Sequence, residues 1–255
     1  MNEVQTAAAV TDDAFLGEAL RVLQPRAGYR AGVDAVLLAA TVTTASRSVL
    51  DAGAGVGVVG LCAARRLNDL HVTLLEREDE LAALARDNVA RNALDARVRV
   101  VQGDIVGKAD ALRSAGLVDE SFDAVLANPP FHLEGHGTAS DNPLKAASHS
   151  MDASQLEIWV RLAARLTRPG GSFTMIHKAD ALRDILEAFG MRFGGIRVKP
   201  VYARAGEPAI RVIVHGIKGS RAPLEIRQPL VLHGEGHAFL PEVSAILRDG
   251  APLAI

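Results

Sequence analysis

The chain has 255 residues, 49% of them apolar, which is enough for one large core. Its formal net charge is −2 and its only cysteine is Cys62. Bulk charge therefore predicts no nucleic-acid partner, and an intrachain disulfide and a cysteine-based zinc site are excluded.

The opening MNEVQTAAAVTD reads as a mobile lead-in, with acids (Glu3, Asp12, Asp13, Glu18) and no basic residue before position 21. LRVLQPRAGYRAGVDAVLLAATV predicts a short extended piece, a turn around Pro25–Gly28 and a helix capped near Asp34. From Ser46 strands and helices alternate: SVLDAG, helix GVVGLCAARRL, strand HVTLLE, then helix EDELAALARDNVARNAL with acids early and arginines late, as the helix dipole favours. RVRVVQGD and SFDAVLAN are strands, DASQLEIWVRLAARLT a helix with an Asp cap, GGSFTMIHK a strand, and KADALRDILEAF a helix. Trp159, with Leu156, Ile158 and Leu162 on its helix, reads as core. IRVKPVYARAGEPAIRVIVHGIKG predicts an antiparallel edge hairpin turning at Ala203–Pro208, and the remainder offers one extended piece and a short helix.

This alternation predicts an α/β fold, a Rossmann-like doubly wound and mainly parallel seven-stranded sheet with the antiparallel hairpin at its edge. The expectation is one domain over 1–255: an extension and cap over 1–45, a catalytic core over 46–220, and a tail over 221–255 packed on the core. Ligands in such sheets bind beyond the carboxyl ends of the strands. Asp51, Glu76, Asp104 and Asn128 all fall there.

The glycine loop VLDAGAGVGVVGL allows positive φ and close approach of a ligand to backbone. Gly55, Gly57 and Gly60 also fit the dinucleotide fingerprint, which keeps a NAD-binding oxidoreductase as an alternative. Asp51 decides between them, because a carboxylate there would repel a pyrophosphate and suits a ligand ammonium. S-adenosylmethionine has that ammonium and no phosphate. Asp51 can act through water or by ordering the loop. Glu76 can accept from both ribose hydroxyls, Asp104 from the adenine amino group, and Ile105 can flank the ring.

AVLANPPFHLEG stops a buried strand at Asn128, since two prolines cannot serve a central ladder. An exocyclic amine such as adenine N6 is planar and weakly nucleophilic. The Asn128 carboxamide oxygen and the Pro129 carbonyl can each accept one of its N–H groups. Out-of-plane acceptors turn the lone pair towards a methyl group, and the prolines stiffen them. Phe131 offers a face for a flipped base.

Residues 192–227 hold Arg192, Arg197, Lys199, Arg204, Arg211, Lys218, Arg221 and Arg227 against Glu207 and Glu225. That segment is either a polyanion-facing surface or a solvated hairpin with charged edges. His177 and Lys178 end a strand where either could reach phosphate. His132, His136, His149, His233 and His237 read as solvated or nucleotide-holding histidines, not as a metal site.

DAGAGVG, the acid of LLERE, the GDI step and NPPF resemble, in that order, the amino-methylating branch of class I S-adenosylmethionine-dependent methyltransferases. QPRAGYRAGVDAVLLAA, ASDNPLKAASHSMD and ARAGEPAIRVIV are similar to the bacterial tRNA1(Val) (adenine-N6)-methyltransferases. The resemblance implies a catalytic motif of Asn128, Pro129, Pro130 and Phe131. It implies donor contacts at Asp51, Gly53, Ala54, Gly55, Glu76, Arg77, Asp104, Ile105 and Asn128, with Tyr29, Gly32 and Asp34 closing over the donor. Substrate contacts would be Phe131, His132, Lys145, His149, Arg204 and Arg211. The implied cofactor is S-adenosylmethionine, with tRNA as partner, no metal and no membrane, in the cytoplasm. Guanine-N2, protein-glutamine and small-molecule hydroxyl acceptors stay open as alternatives.

Overall fold

The computed structural model describes residues 10–28, 30–107, 109–130, 153–190 and 192–255. Strands β1 (Val10–Phe15) and β2 (Leu20–Pro25) form a separate antiparallel hairpin. So Val10, Thr11 and Asp12 are not part of a lead-in. Asp12 holds Arg21 and Arg91, and Asp13 holds Arg30.

After α1 (Val33–Ala40), the chain runs β3 (Ser48–Ala52), α2 (Val58–Arg66), β4 (His71–Glu76), α3 (Asp79–Arg91) and β5 (Val98–Gln102). A short helix α4 (Ala109–Ser114), β6 (Phe122–Ala127), α5 (Ala153–Leu166), β7 (Thr167–Lys178) and α6 (Leu182–Gly190) follow. The edge is built from β8 (Phe193–Arg204), β9 (Ala209–Lys218), β10 (Glu225–Ile226) and β11 (Leu230–His233), and α7 (Pro241–Asp249) closes the chain.

The sheet order is β10-β8-β9-β7-β6-β3-β4-β5, with β11 also on β8. Only β9 runs against its neighbours. The seven expected strands are β3–β9, and β10 and β11 widen the sheet beyond them. The turn between β8 and β9 is four residues, 205–208, within the predicted Ala203–Pro208, while Ala203 and Arg204 still belong to β8.

Alternation along the strands sorts the core into two layers. Val49, Val72, Leu74, Leu126 and Ile176 face α1, α2 and α7. Leu50, Leu75, Val125, Phe173 and Met175 face α5 and α6, where Phe173 stacks on Phe189 at 4.9 Å. Each such fully buried side chain contributes about 1.5–3 kcal/mol. Burial on both faces is why these strands read as continuous apolar runs.

The hairpin docks through two asparagines one turn apart, Asn88 on α3 and Asn92 at its C-cap. Asn88 Oδ1 accepts from Leu23 N at 2.7 Å, and its Nδ2 donates to Leu23 O and Val56 O, each at 3.0 Å. Asn92 pairs likewise with Arg21 N and O. Two side-chain amides thus imitate a strand edge for β2, and Asn88 also reaches the glycine loop.

Asn88 is fully buried, so Asn88→Ala leaves three backbone groups without that partner. Expected destabilisation is about 2–4 kcal/mol, read as a lower urea midpoint at unchanged slope. A loss below half a kcal/mol would show that water replaces the amide.

Candidate functional site

The register aligns the strand ends: Ala52 sits opposite Leu75 and Ala127, and Glu76 opposite Gln102. The groups that follow these positions therefore share one crevice. The glycine loop runs from β3 to α2 with Gly53, Gly55 and Gly57 at φ +65°, +56° and +93°, which is why side chains are disfavoured there. Gly55 faces open space, so the outer side of the loop has room for a ligand.

Glu76, 7% exposed, ties this loop to β4. Its Oε2 accepts from Gly55 N at 2.7 Å, and its Oε1 from Arg77 N at 2.8 Å and Glu78 N at 2.9 Å. A carboxylate has about four acceptor positions, so these amides leave about one. Two ribose hydroxyls can both be held there only if an amide gives way. Arg77 contributes its backbone N–H, while its exposed guanidinium pairs with Glu78. Ala54 N donates to Leu75 O at 2.9 Å, a second link between loop and strand.

Asp51 is 1% exposed and accepts from Gly60 N, in the first turn of α2, at 2.9 Å. Of the two roles open to it, ordering the loop is the one its contacts perform. Burial, reinforced by Glu76, pushes its carboxyl up to about 7, against the Gly60 hydrogen bond. Asp104 is exposed and its Oδ1 caps Val106 N at 2.9 Å, so one oxygen is engaged in its own turn. Ile105, half-buried, packs on the core beside Trp159.

Asn128 is half-buried, Pro129 buried and Pro130 exposed, one strand over from the glycine loop. Asp34 does not cap α1; the N-cap is Gly32, without a side-chain hydrogen bond. Asp34 lies within the first turn and pairs with Arg211 Nε at 2.8 Å, fastening α1 to β9. Tyr29, Phe131, His132, His136, Lys145, His149 and the Asp152 cap lie outside the described residues.

The basic segment is largely engaged within the fold. Arg204 donates to Gly234 O and Gly236 O, Lys218 and Arg192 pair with Glu120 and Glu157, and Lys199 reaches Gln228 O. Arg197 and Arg227 meet Glu225. Arg221 is exposed with no such partner among the described residues. His177 corrects the sequence reading: it is fully buried, and burial pushes it down to about 4, so it offers phosphate no charge. His233 stacks on Phe239.

Trp159 is the contact that sequence reasoning missed. It is half-buried at the flank of the α5 core stripe, and its ring lies over Gly53. A Cβ on Gly53 would stand 2.4 Å from Trp159 Cη2. Glycine is therefore required there by packing as well as by φ.

The donor set fits an adenosyl ligand with an ammonium: open glycine backbone, acids at three strand ends and an apolar flank at Ile105. A family model described as methyltransferase small domain matches residues 31–189. The tRNA1(Val) (adenine(37)-N6)-methyltransferase of Erwinia tasmaniensis is 29% identical over 76% of this chain and 77% of that protein. The protein of that name from Histophilus somni is 22% identical over 92% and 95%. A solved structure from Agrobacterium tumefaciens, described as a predicted O-methyltransferase, is 36% identical. It covers 87% of this chain and 99% of its own, with a TM-score of 0.73.

The elevated Asp51 gives a pH prediction. Between about pH 4 and pH 7 the folded chain keeps this proton while the unfolded chain has lost it. Stability therefore falls as pH rises through that window and levels off above it. Asp51→Asn, which keeps an acceptor for Gly60, is expected to gain on the wild type by roughly 2–4 kcal/mol across it. Thermal unfolding at several pH values checks this; a difference that stays flat contradicts it.

Proposed function

The chain belongs to the methyltransferase small-domain family and is an S-adenosylmethionine-dependent methyltransferase of class I; from that premise we propose that its acceptor is adenine N6 in tRNA. The observation that carries the proposal is the place of Asn128-Pro129-Pro130, at the end of β6 and beside the glycine loop. The names of the Erwinia and Histophilus relatives support it. Cytoplasmic location follows from a tRNA substrate. Among the described residues no helix is long and apolar enough to cross a membrane.

S-adenosylmethionine, when bound, supplies a methyl group on a sulfonium centre. Glu76 holds the ribose, exchanging a loop amide for a hydroxyl. Asp104 and Ile105 receive the adenine, and Asp51 holds the loop from beneath, where an ammonium nearby would draw its buried carboxyl towards the ionised form. Asn128 Oδ1 and the Pro129 carbonyl accept the two N–H groups of the target amine and direct its lone pair at the methyl. No strong base is needed, because the nitrogen becomes acidic only as the N–C bond forms, and water takes the proton. Phe131 stacks the base, while His132, Lys145, His149 and basic side chains such as Arg221 meet the RNA backbone. Arg204 and Arg211 would contribute only with nitrogens left over from their internal contacts.

The Agrobacterium structure is described as a predicted O-methyltransferase, and that favours one second reading, an oxygen acceptor. A hydroxyl has to lose its proton as the bond forms, a task for a base. A carboxamide and two prolines are acceptors of hydrogen bonds and very weak bases, so they suit an amine.

Incubation with unmodified tRNA and S-adenosylmethionine, followed by digestion and mass spectrometry of nucleosides, tests the proposal. N6-methyladenosine is expected; a 2′-O-methylated nucleoside or N2-methylguanosine would overturn it. Asn128→Ala is expected to slow single-turnover transfer by a factor on the order of 10²–10³ at unchanged donor affinity. A wild-type rate would remove the carboxamide from the chemistry.

A further inference from the structure

We infer that Trp159 is a donor-binding residue, an aromatic wall that closes the S-adenosylmethionine site between the glycine loop and the loop after β5. The inference rests on the reading of that crevice as the donor site. The chain contains one tryptophan, and a purely apolar role on α5 would be met by the leucine and valine of its buried stripe, Leu156 and Val160.

The indole instead leaves that stripe and extends over Gly53. The point where a Gly53 side chain would begin lies 2.4 Å from Trp159 Cη2, 2.9 Å from Cζ3 and 3.5 Å from Ile105 Cδ1. Ring and isoleucine therefore both border the space above the first glycine of the loop. These two segments, one after β3 and one after β5, are those assigned to the donor. On the far side, Ile105, Val106 and Gly107 leave a cleft of about 160 Å³ against Ile158, Arg161 and Leu162 of the same helix. The loop after β5 thus does not seal against α5 on that side, and on the other side the indole lies between that loop and the glycine loop.

Trp159 is half-buried, so part of the residue stays in contact with solvent. A half-exposed indole complements both halves of the donor: adenine by stacking or edge contact, and the sulfonium by its π face. Binding is expected to remove that remaining water contact.

Because Trp159 is the sole tryptophan, its fluorescence reads the site without catalysis. Wild-type protein is titrated with S-adenosylhomocysteine and with S-adenosylmethionine, following emission and acrylamide quenching, with calorimetry on the same samples. The expected result is a saturable emission change and protection from acrylamide, with the dissociation constant that calorimetry gives. Trp159→Phe should bind within about threefold of wild type, and Trp159→Ala at least tenfold more weakly, with circular dichroism as the check on folding. Calorimetric binding with unchanged emission and unchanged quenching overturns the inference and leaves the donor site standing. So does wild-type affinity in folded Trp159→Ala. If Trp159→Ala fails to fold, the wild-type titration decides alone. Absence of calorimetric binding overturns the donor-site reading itself, and this inference with it.

Discussion

A carboxylate as buried as that of Glu76 has to be supplied with donors, and here the donors are backbone amides of the segments it organises. Gly55 on one side, Arg77 and Glu78 on the other, converge on its two oxygens. Hydrogen bonds to an ionised acceptor are roughly twice as strong as neutral ones. One side chain thereby fixes the glycine loop against the end of β4, and Gly103 N, bonded to Glu76 O at 2.9 Å, fixes the end of β5 to the same residue. Asp51 does the equivalent work beneath the loop by holding the start of α2. The crevice is therefore assembled before any ligand enters, at the cost of two acids close together in a dry place. The elevated Asp51 is the visible sign of that cost.

This arrangement also explains why a cationic ligand suits the site. A positive group near Asp51 relieves the repulsion that Glu76 imposes and favours the ionised form. In the function proposed above, the glycine loop serves close approach of the donor and the backbone after β6 orients the acceptor. The parallel register places the ends of β3, β4 and β5 beside that of β6, which is what this proposal needs.

Much of this was legible in the sequence, because strands buried on both faces write long apolar runs with a polar residue at or next to each carboxyl end. β4 matches HVTLLE to the residue, and the β8–β9 turn follows from Gly206 and Pro208. The hairpin β1–β2 was less legible: Val10–Phe15 is short and acidic, and its partner β2 is held by Asn88 and Asn92, more than sixty residues away. A pair of asparagines on the inner face of an amphipathic helix was the available signal. Trp159 packs on the core, as its helical spacing predicts, but spacing is silent on which loop a ring crosses, so its contact with Gly53 was not legible. The basic segment misled in the other direction, since a charge count cannot register that Arg204 caps two carbonyls or that Arg211 meets Asp34. Helix capping at Asp34 failed for the same reason: a distant arginine claimed the carboxylate.

The most direct test of the account is a crystal structure of the protein with S-adenosylhomocysteine. The account places the ribose on Glu76 with the Gly55 amide displaced or shared, the adenine between Asp104 and Ile105, and the sulfur facing Asn128. A product molecule bound elsewhere, such as the cleft of about 460 Å³ between the β1–β2 turn and Arg248, would contradict it. So would a ribose that leaves Glu76 untouched.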